Sequence, residues 1–224
     1  MLQGFRETLR WYLSLEKNRL SRYLRQHFGY YLLLFGNMDL SWVETSPVLM
    51  KACVKSQHDS SLMGVVAKSD ALPFFPDSID VMVFVRELSQ VENPRAALQE
   101  VYSVLRHDGV VIISELNPYR PWARSFWRWS KKHQKNKTGR MLSWRQTQIL
   151  LESVGFELVS EERLGVFKNS TSEKKLWGRW LVYLFPWWSM GYLLIAKKKT
   201  IAITPIKFQV KEKLLIPEIE TERA

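Results

Sequence analysis

The feature that most constrains this chain is a recurrence of short apolar runs, spaced so that helices fit between them. Tyr31-Leu32-Leu33-Leu34-Phe35 ends at Gly36, Asp80–Val85 reads Asp-Val-Met-Val-Phe-Val, and Val110-Val111-Ile112-Ile113-Ser114 follows. Runs this continuous belong to strands buried on both faces of a sheet. Met50–Lys55 and Leu62–Ala67 read as weaker strands, Glu157–Glu161 as the start of a sixth and Gly191–Lys197 as a seventh. After Asp80–Val85, Asn93 is placed to cap a helix opened by Pro94. Its apolar face is Ala97, Val101, Val104 and Leu105, and His107-Asp108-Gly109 reads as its end, with Gly109 supplying the turn. Thr147–Val154 reads as another helix, closed by Gly155. Alternation of this kind predicts an α/β fold: a seven-stranded, mostly parallel sheet with helices on both faces. Ligands of such sheets bind beyond the carboxyl ends of the strands. Those ends fall near Gly36, Lys55, Asp70, Arg86 and Glu115.

The rest of the chain frames that core, which we place at 28–204. Residues 1–27 read as an amphipathic helix, with Phe5, Leu9, Tyr12, Leu13, Leu20, Tyr23 and Leu24 at helical spacing, either covering the rim of the core or acting as a lid. Residues 205–224 read as a loosely held tail. Trp180–Ala196 carries no charge, but Pro186 and Gly191 interrupt it, so a short helix, a turn at Pro186 and a strand fit better than a membrane span. Arg6, Glu7 and Arg10 break the apolar core a secretion signal needs. The lone Cys53 excludes an internal disulfide, which fits a cytoplasmic setting, and reads as a buried structural thiol. His27, His58, His107 and His133 are scattered, so no metal site is expected.

The stretch Ser69-Asp70-Ala71-Leu72-Pro73-Phe74, followed by Phe75-Pro76-Asp77-Ser78-Ile79-Asp80-Val81, is more specific. It resembles the segment joining strands three and four in class I S-adenosylmethionine-dependent methyltransferases, in particular the small-molecule branch with the ubiquinone and menaquinone enzymes. The similarity runs on through "VENPRAALQEVYSVLRHDGVVIIS" and "LLESVGFELV". The resemblance implies a Rossmann-like sheet whose last strand is antiparallel, with adenosylmethionine as cofactor and a small acceptor as substrate. It implies cofactor-binding roles for Gly36 and Asn37 after the first strand, for Asp70 with the Ala71 and Leu72 backbone at the adenine, and for Arg86 after the fourth strand. It places Glu115 and Asn117 toward the acceptor, where either could orient or deprotonate a hydroxyl; the plain alternative is that Asn117-Pro118 starts a turn. Asp70 has a plain alternative too, as a turn former.

The chain departs from the family at the glycine turn. Where that pattern reads acid-x-Gly-x-Gly-x-Gly, this sequence has Leu34, Phe35, Gly36, Asn37, Met38, Asp39 and Leu40. The acid that grips the ribose hydroxyls is also missing, and the second strand runs into Lys55 and Ser56, where a lysine can donate but not accept. Two readings follow: a methyltransferase acting on a small, lipophilic acceptor, or a cofactor-free binding or regulatory module on the same fold.

Composition enters through charge. The 33 Lys and Arg against 22 Asp and Glu give a formal +11. From Leu116 to Leu151 there is no acid, while Arg120, Arg124, Arg128, Lys131, Lys132, Lys135, Lys137, Arg140 and Arg145 are basic and Tyr119, Trp122, Phe126, Trp127, Trp129 and Trp144 are interleaved. Outside that stretch the chain is close to neutral. A helix beginning near Pro121 would gather Trp122, Phe126 and Trp129 on one side and Arg124, Arg128 and Lys131 on another. The insertion at 117–145 has three readings: a solvated face with aromatics packed inward, a surface for anionic lipid at the inner face of a membrane, or, less favoured for want of a standard motif, a nucleic-acid contact.

Overall fold

The computed structural model describes residues 2–55, 65–68, 71–133, 139–165 and 189–199. Asp70, the first part of the run Leu62–Ala67, the segment around Pro186 and the tail at 205–224 lie outside the described residues.

Helix α1 (Leu2–Leu24) precedes strand β1 (Tyr31–Phe35). Strands β2 (Met50–Lys55), β3 (Val65–Val66) and β4 (Ile79–Val85) follow, then helix α2 (Pro94–Val104) and strand β5 (Leu105–Leu116). Helices α3 (Pro121–His133) and α4 (Trp144–Val154) and strands β6 (Phe156–Leu164) and β7 (Gly191–Lys198) complete the order. The sheet runs β3-β2-β1-β4-β5-β7-β6. Strands β1 to β5 pair in parallel, and β7 is antiparallel to both β5 and β6. This is the expected α/β architecture, down to the reversed last strand.

Alternate residues of each central strand feed two cores, because successive side chains leave a strand on opposite faces. Leu33, Phe35, Met82, Phe84, Val111 and Ile113 pack under α2 and α4, with Phe35 and Phe84 stacked at 4.4 Å. Leu32, Leu34, Val81, Val83, Val110 and Ile112 pack on the other face under α1. Between β1 and β2, among the described residues, only a 3-10 turn at Leu40–Trp42 occurs where a parallel crossover usually carries an α-helix. Helix α1 covers that face instead.

Local signals set several boundaries. Asn93 accepts from the Ala96 amide ahead of Pro94, as its N-cap placement predicts. Helix α4 starts three residues earlier than expected, at a capping box in which Ser143 and Gln146 satisfy each other's backbone groups, and it ends on Gly155 at φ +109. Helix α2, however, does not reach His107-Asp108-Gly109. It stops at Val104, and Leu105 already pairs with Ile79 in the sheet. The cause is long-range. The Leu105 side chain is fully buried, and its carbonyl accepts from the Lys198 ammonium of β7 at 2.7 Å. The register then shifts before Val110 meets Val81, and Asp108 rather than Gly109 takes the left-handed backbone, at φ +63.

No helix of the described residues is long and apolar enough to cross a membrane. Among the described residues, no group of three His, Cys, Asp or Glu could hold a metal ion.

Candidate active site at the carboxyl edge of the sheet

The carboxyl ends of β1, β4 and β5 meet at one edge, where the chain leaves each strand abruptly. Gly36 turns at φ +129, and a Cβ there would lie 2.6 Å from the Val85 carbonyl oxygen. Only glycine lets the backbone pass that close to β4. Gly36→Ala should therefore destabilise the fold by about 2–4 kcal/mol, through backbone strain and overpacking; a urea melt reads this directly. Asn37 is exposed, and Met38 folds back toward β4.

Arg86, the first residue after β4, is buried and held at φ +53, a left-handed conformation rare outside glycine. Its guanidinium forms an ion pair with Glu16 of α1 at 2.5 Å, lies against the Met38 sulfur at 3.5 Å and sits 5.7 Å over the Trp42 ring. The other Glu16 oxygen accepts from the Ser114 hydroxyl at 2.5 Å. Glu16 is 0% exposed. Helix α1 thus delivers a carboxylate into the edge on which β1 presents the buried, uncharged Leu34.

Tyr12 stands one turn before Glu16. Its hydroxyl is buried without a hydrogen-bond partner, against Gly191, where a Cβ would lie only 2.1 Å from it. Burial, with the Glu16 charge adding to it, pushes its phenol well above the ordinary range. Its ring meets Trp122 of α3 at 5.7 Å, and Trp122 stacks on Phe126 at 5.8 Å. Ala123 is fully buried beside them. The described aromatics on this face of α3 therefore point inward and close over α1.

Ser114 and Glu115 face opposite sides of β5. Glu115 is 1% exposed and accepts from the Ser89 amide at 3.0 Å, under a 3-10 turn at Leu88–Gln90. Burial raises its carboxyl to about 7, against the pull of that hydrogen bond and of Arg86. Asn117 is spent on structure: its amide nitrogen donates to the Ser189 carbonyl at 2.9 Å and its oxygen accepts from the Tyr119 amide at 3.1 Å. That arrangement is the turn reading of Asn117-Pro118.

The geometry also bears on the remaining cofactor positions. The Leu72 amide donates to Glu100 of α2 at 3.2 Å, and the Ala71 amide donates to the Lys68 carbonyl at 3.1 Å. Lys55 ends β2 where the ribose-binding acid is expected.

The comparisons with known proteins decide the family. Residues 17–161, well over half of the chain, match the family described as "Methyltransferase domain". The chain belongs to this methyltransferase-domain family. The match runs from Glu16's neighbour Lys17 to Glu161 in β6, so it takes in β1, β4 and β5 and the edge they form. Solved structures share the fold. A SAM-dependent methyltransferase from Archaeoglobus fulgidus superposes with a TM-score of 0.59 at 16% identity, covering 83% of this chain and 94% of its own. An S-adenosylmethionine-dependent methyltransferase from Mesorhizobium loti gives 0.54 at 17% identity, covering 79% and 96%. The [4+2]-cyclase SpnF gives 0.55 at 16% identity, covering 81% of each. In sequence, the uncharacterized protein YafS of Escherichia coli (strain K12) is 29% identical over 107 residues, covering 46% of this chain and 42% of that protein. The similarity therefore spans less than half of that relative.

Adenosylmethionine is the usual cofactor of this family, and the described residues fit it in part. At Gly36 the missing Cβ lets β1 turn tightly against the Val85 carbonyl, at the edge where sheets of this kind bind ligands. Leu34 and Lys55 stand where the resemblance leads one to expect acids, and of the buried acids on this edge Glu16 is paired with Arg86.

Proposed function

We propose that this protein transfers a methyl group from adenosylmethionine to a small, lipophilic acceptor, as in the ubiquinone and menaquinone methyltransferase-like branch, with an altered glycine turn. The observation that carries this reading is the methyltransferase-domain match across every strand of the carboxyl edge. The cofactor would supply an activated methyl on a sulfonium; the protein's share is proximity and orientation. Gly36 and Asn37 would lie against its methionine end and Asp70 against its adenine. Trp122 and Phe126 of α3, only partly buried, leave aromatic surface beside this edge, which favours a lipophilic acceptor. Glu115, at about 7, would be the carboxyl able to take a proton from an acceptor hydroxyl near neutral pH.

A second reading rests on specific observations: Leu34 and Lys55 at the acid positions, the committed amides of Ala71 and Leu72, and Arg86 already paired with Glu16. On that reading the chain is a binding or regulatory module, and one fold can host unrelated tasks. Incubation with methyl-labelled adenosylmethionine and a panel of quinols and phenols separates the two. Label in the acceptor is the expected result; no label in any acceptor, with adenosylmethionine shown to stay unbound, supports the module.

A further inference from the structure

We propose that the carboxyl edge of the sheet, through Arg124 and Arg128 of α3, Arg140, and Arg145 of α4, is a docking surface for a membrane rich in anionic phospholipid. The inference rests on where charge sits and not on methyl transfer. Within Leu116–Leu151 there are nine basic residues and no acid, and the remaining residues are close to neutral. The fold brings the two ends of this stretch to one edge. Helix α3 leaves the carboxyl end of β5, and α4 starts on the same edge because it feeds β6, which runs parallel to β5. Between them the Gly139 amide is bonded to the Gln90 carbonyl, which holds the connection against the turn after β4. Arg124 and Arg128 on α3, Arg140 beside Gly139 and Arg145 on α4 are all exposed. Among the described residues none of the four is ion-paired, so the edge keeps its positive field.

The aromatic side chains decide which anion this field suits. A single-stranded nucleic acid is gripped by exposed rings on which bases stack. Here Trp122 packs on Tyr12 and Phe126 stacks on Trp122, and Trp144 lies beneath the Arg163 guanidinium at 5.2 Å. Of the described aromatic side chains in the stretch, Tyr119 alone is exposed, at 57%. Guanidiniums with one tyrosine at their margin match a lipid headgroup layer, where charge attracts and an amphipathic ring settles at the boundary. The edge that would meet the bilayer is also the edge at which an acceptor would enter.

The test is flotation with vesicles of phosphatidylcholine, alone or mixed with phosphatidylglycerol. The full chain should float only with the mixed vesicles and be released by high salt. The variant R124Q/R128Q/R140Q/R145Q should bind roughly 100-fold more weakly, since each charge near such a surface contributes several-fold. The matching variant with four lysines should float like the native protein, which excludes a folding defect as the cause. Absence of flotation with mixed vesicles, or glutamine and native proteins floating alike, would overturn the proposal. So would salt-sensitive binding of single-stranded RNA without flotation, which gives the surface to nucleic acid.

Discussion

Arg86→Met should cost about 3–5 kcal/mol of folding stability, the usual penalty for leaving one member of a buried ion pair unpaired. The reason is the position of Glu16. It is completely buried, and its partners are the Arg86 guanidinium and the Ser114 hydroxyl. Without Arg86, a carboxylate stays in the core with one hydroxyl to serve it. Glu16→Leu should cost a similar amount from the other side, stranding the guanidinium between Met38 and Trp42. The double variant should cost much less than the sum, because an apolar pair of similar volume avoids both desolvation penalties. Urea melts of the three variants measure this coupling. A strictly additive cycle would mean that the pair does not hold α1 to the sheet.

Glu115 should make the fold less stable as pH rises toward neutral. Its folded value of about 7 lies above the unfolded value near 4.5. Below the unfolded value both states are protonated, and the folded state keeps its full stability. Between the two values only the unfolded state releases the proton, so stability falls. Above about 7 both are ionised and the loss is complete, on the order of 3 kcal/mol. Glu115→Gln keeps an acceptor for the Ser89 amide and removes the titration. The variant should therefore unfold at higher denaturant than the native protein at pH 8, and at nearly the same denaturant at pH 4. If Glu115 is the proposed base, the variant also loses methyl transfer to a hydroxyl acceptor while gaining stability. A mere defect in folding would move stability the other way.

The alternating core was legible because its signals are local. The runs at Tyr31–Phe35 and Val110–Ser114 announce buried strands, Pro121 opens α3 and Gly155 closes α4. What was not legible depends on residues distant in the chain. Leu105 reads as helix by spacing, yet Ile79 and Lys198 draw it into the sheet. The Glu16–Arg86 pair joins positions 70 apart, and no spacing rule links them. One clue was present. Tyr12, Glu16, Leu20 and Leu24 recur every fourth residue, and all four are fully buried. A charge on such a stripe calls for a buried partner. The resemblance turns Arg86 toward the cofactor, and in the structure it faces α1. Asn117 suits either an acceptor-facing position or a turn by sequence, and its side-chain hydrogen bonds go to Ser189 and Tyr119 in the turn.

Isothermal titration of the native protein with adenosylmethionine, repeated with adenosylhomocysteine, tests the proposed methyl transfer most directly. Saturable one-to-one binding of both is the predicted result, weakened by Asp70→Ala if that side chain holds the adenine. No heat of binding at millimolar ligand, from protein shown to be folded, would contradict it and leave the chain a methyltransferase fold put to another use.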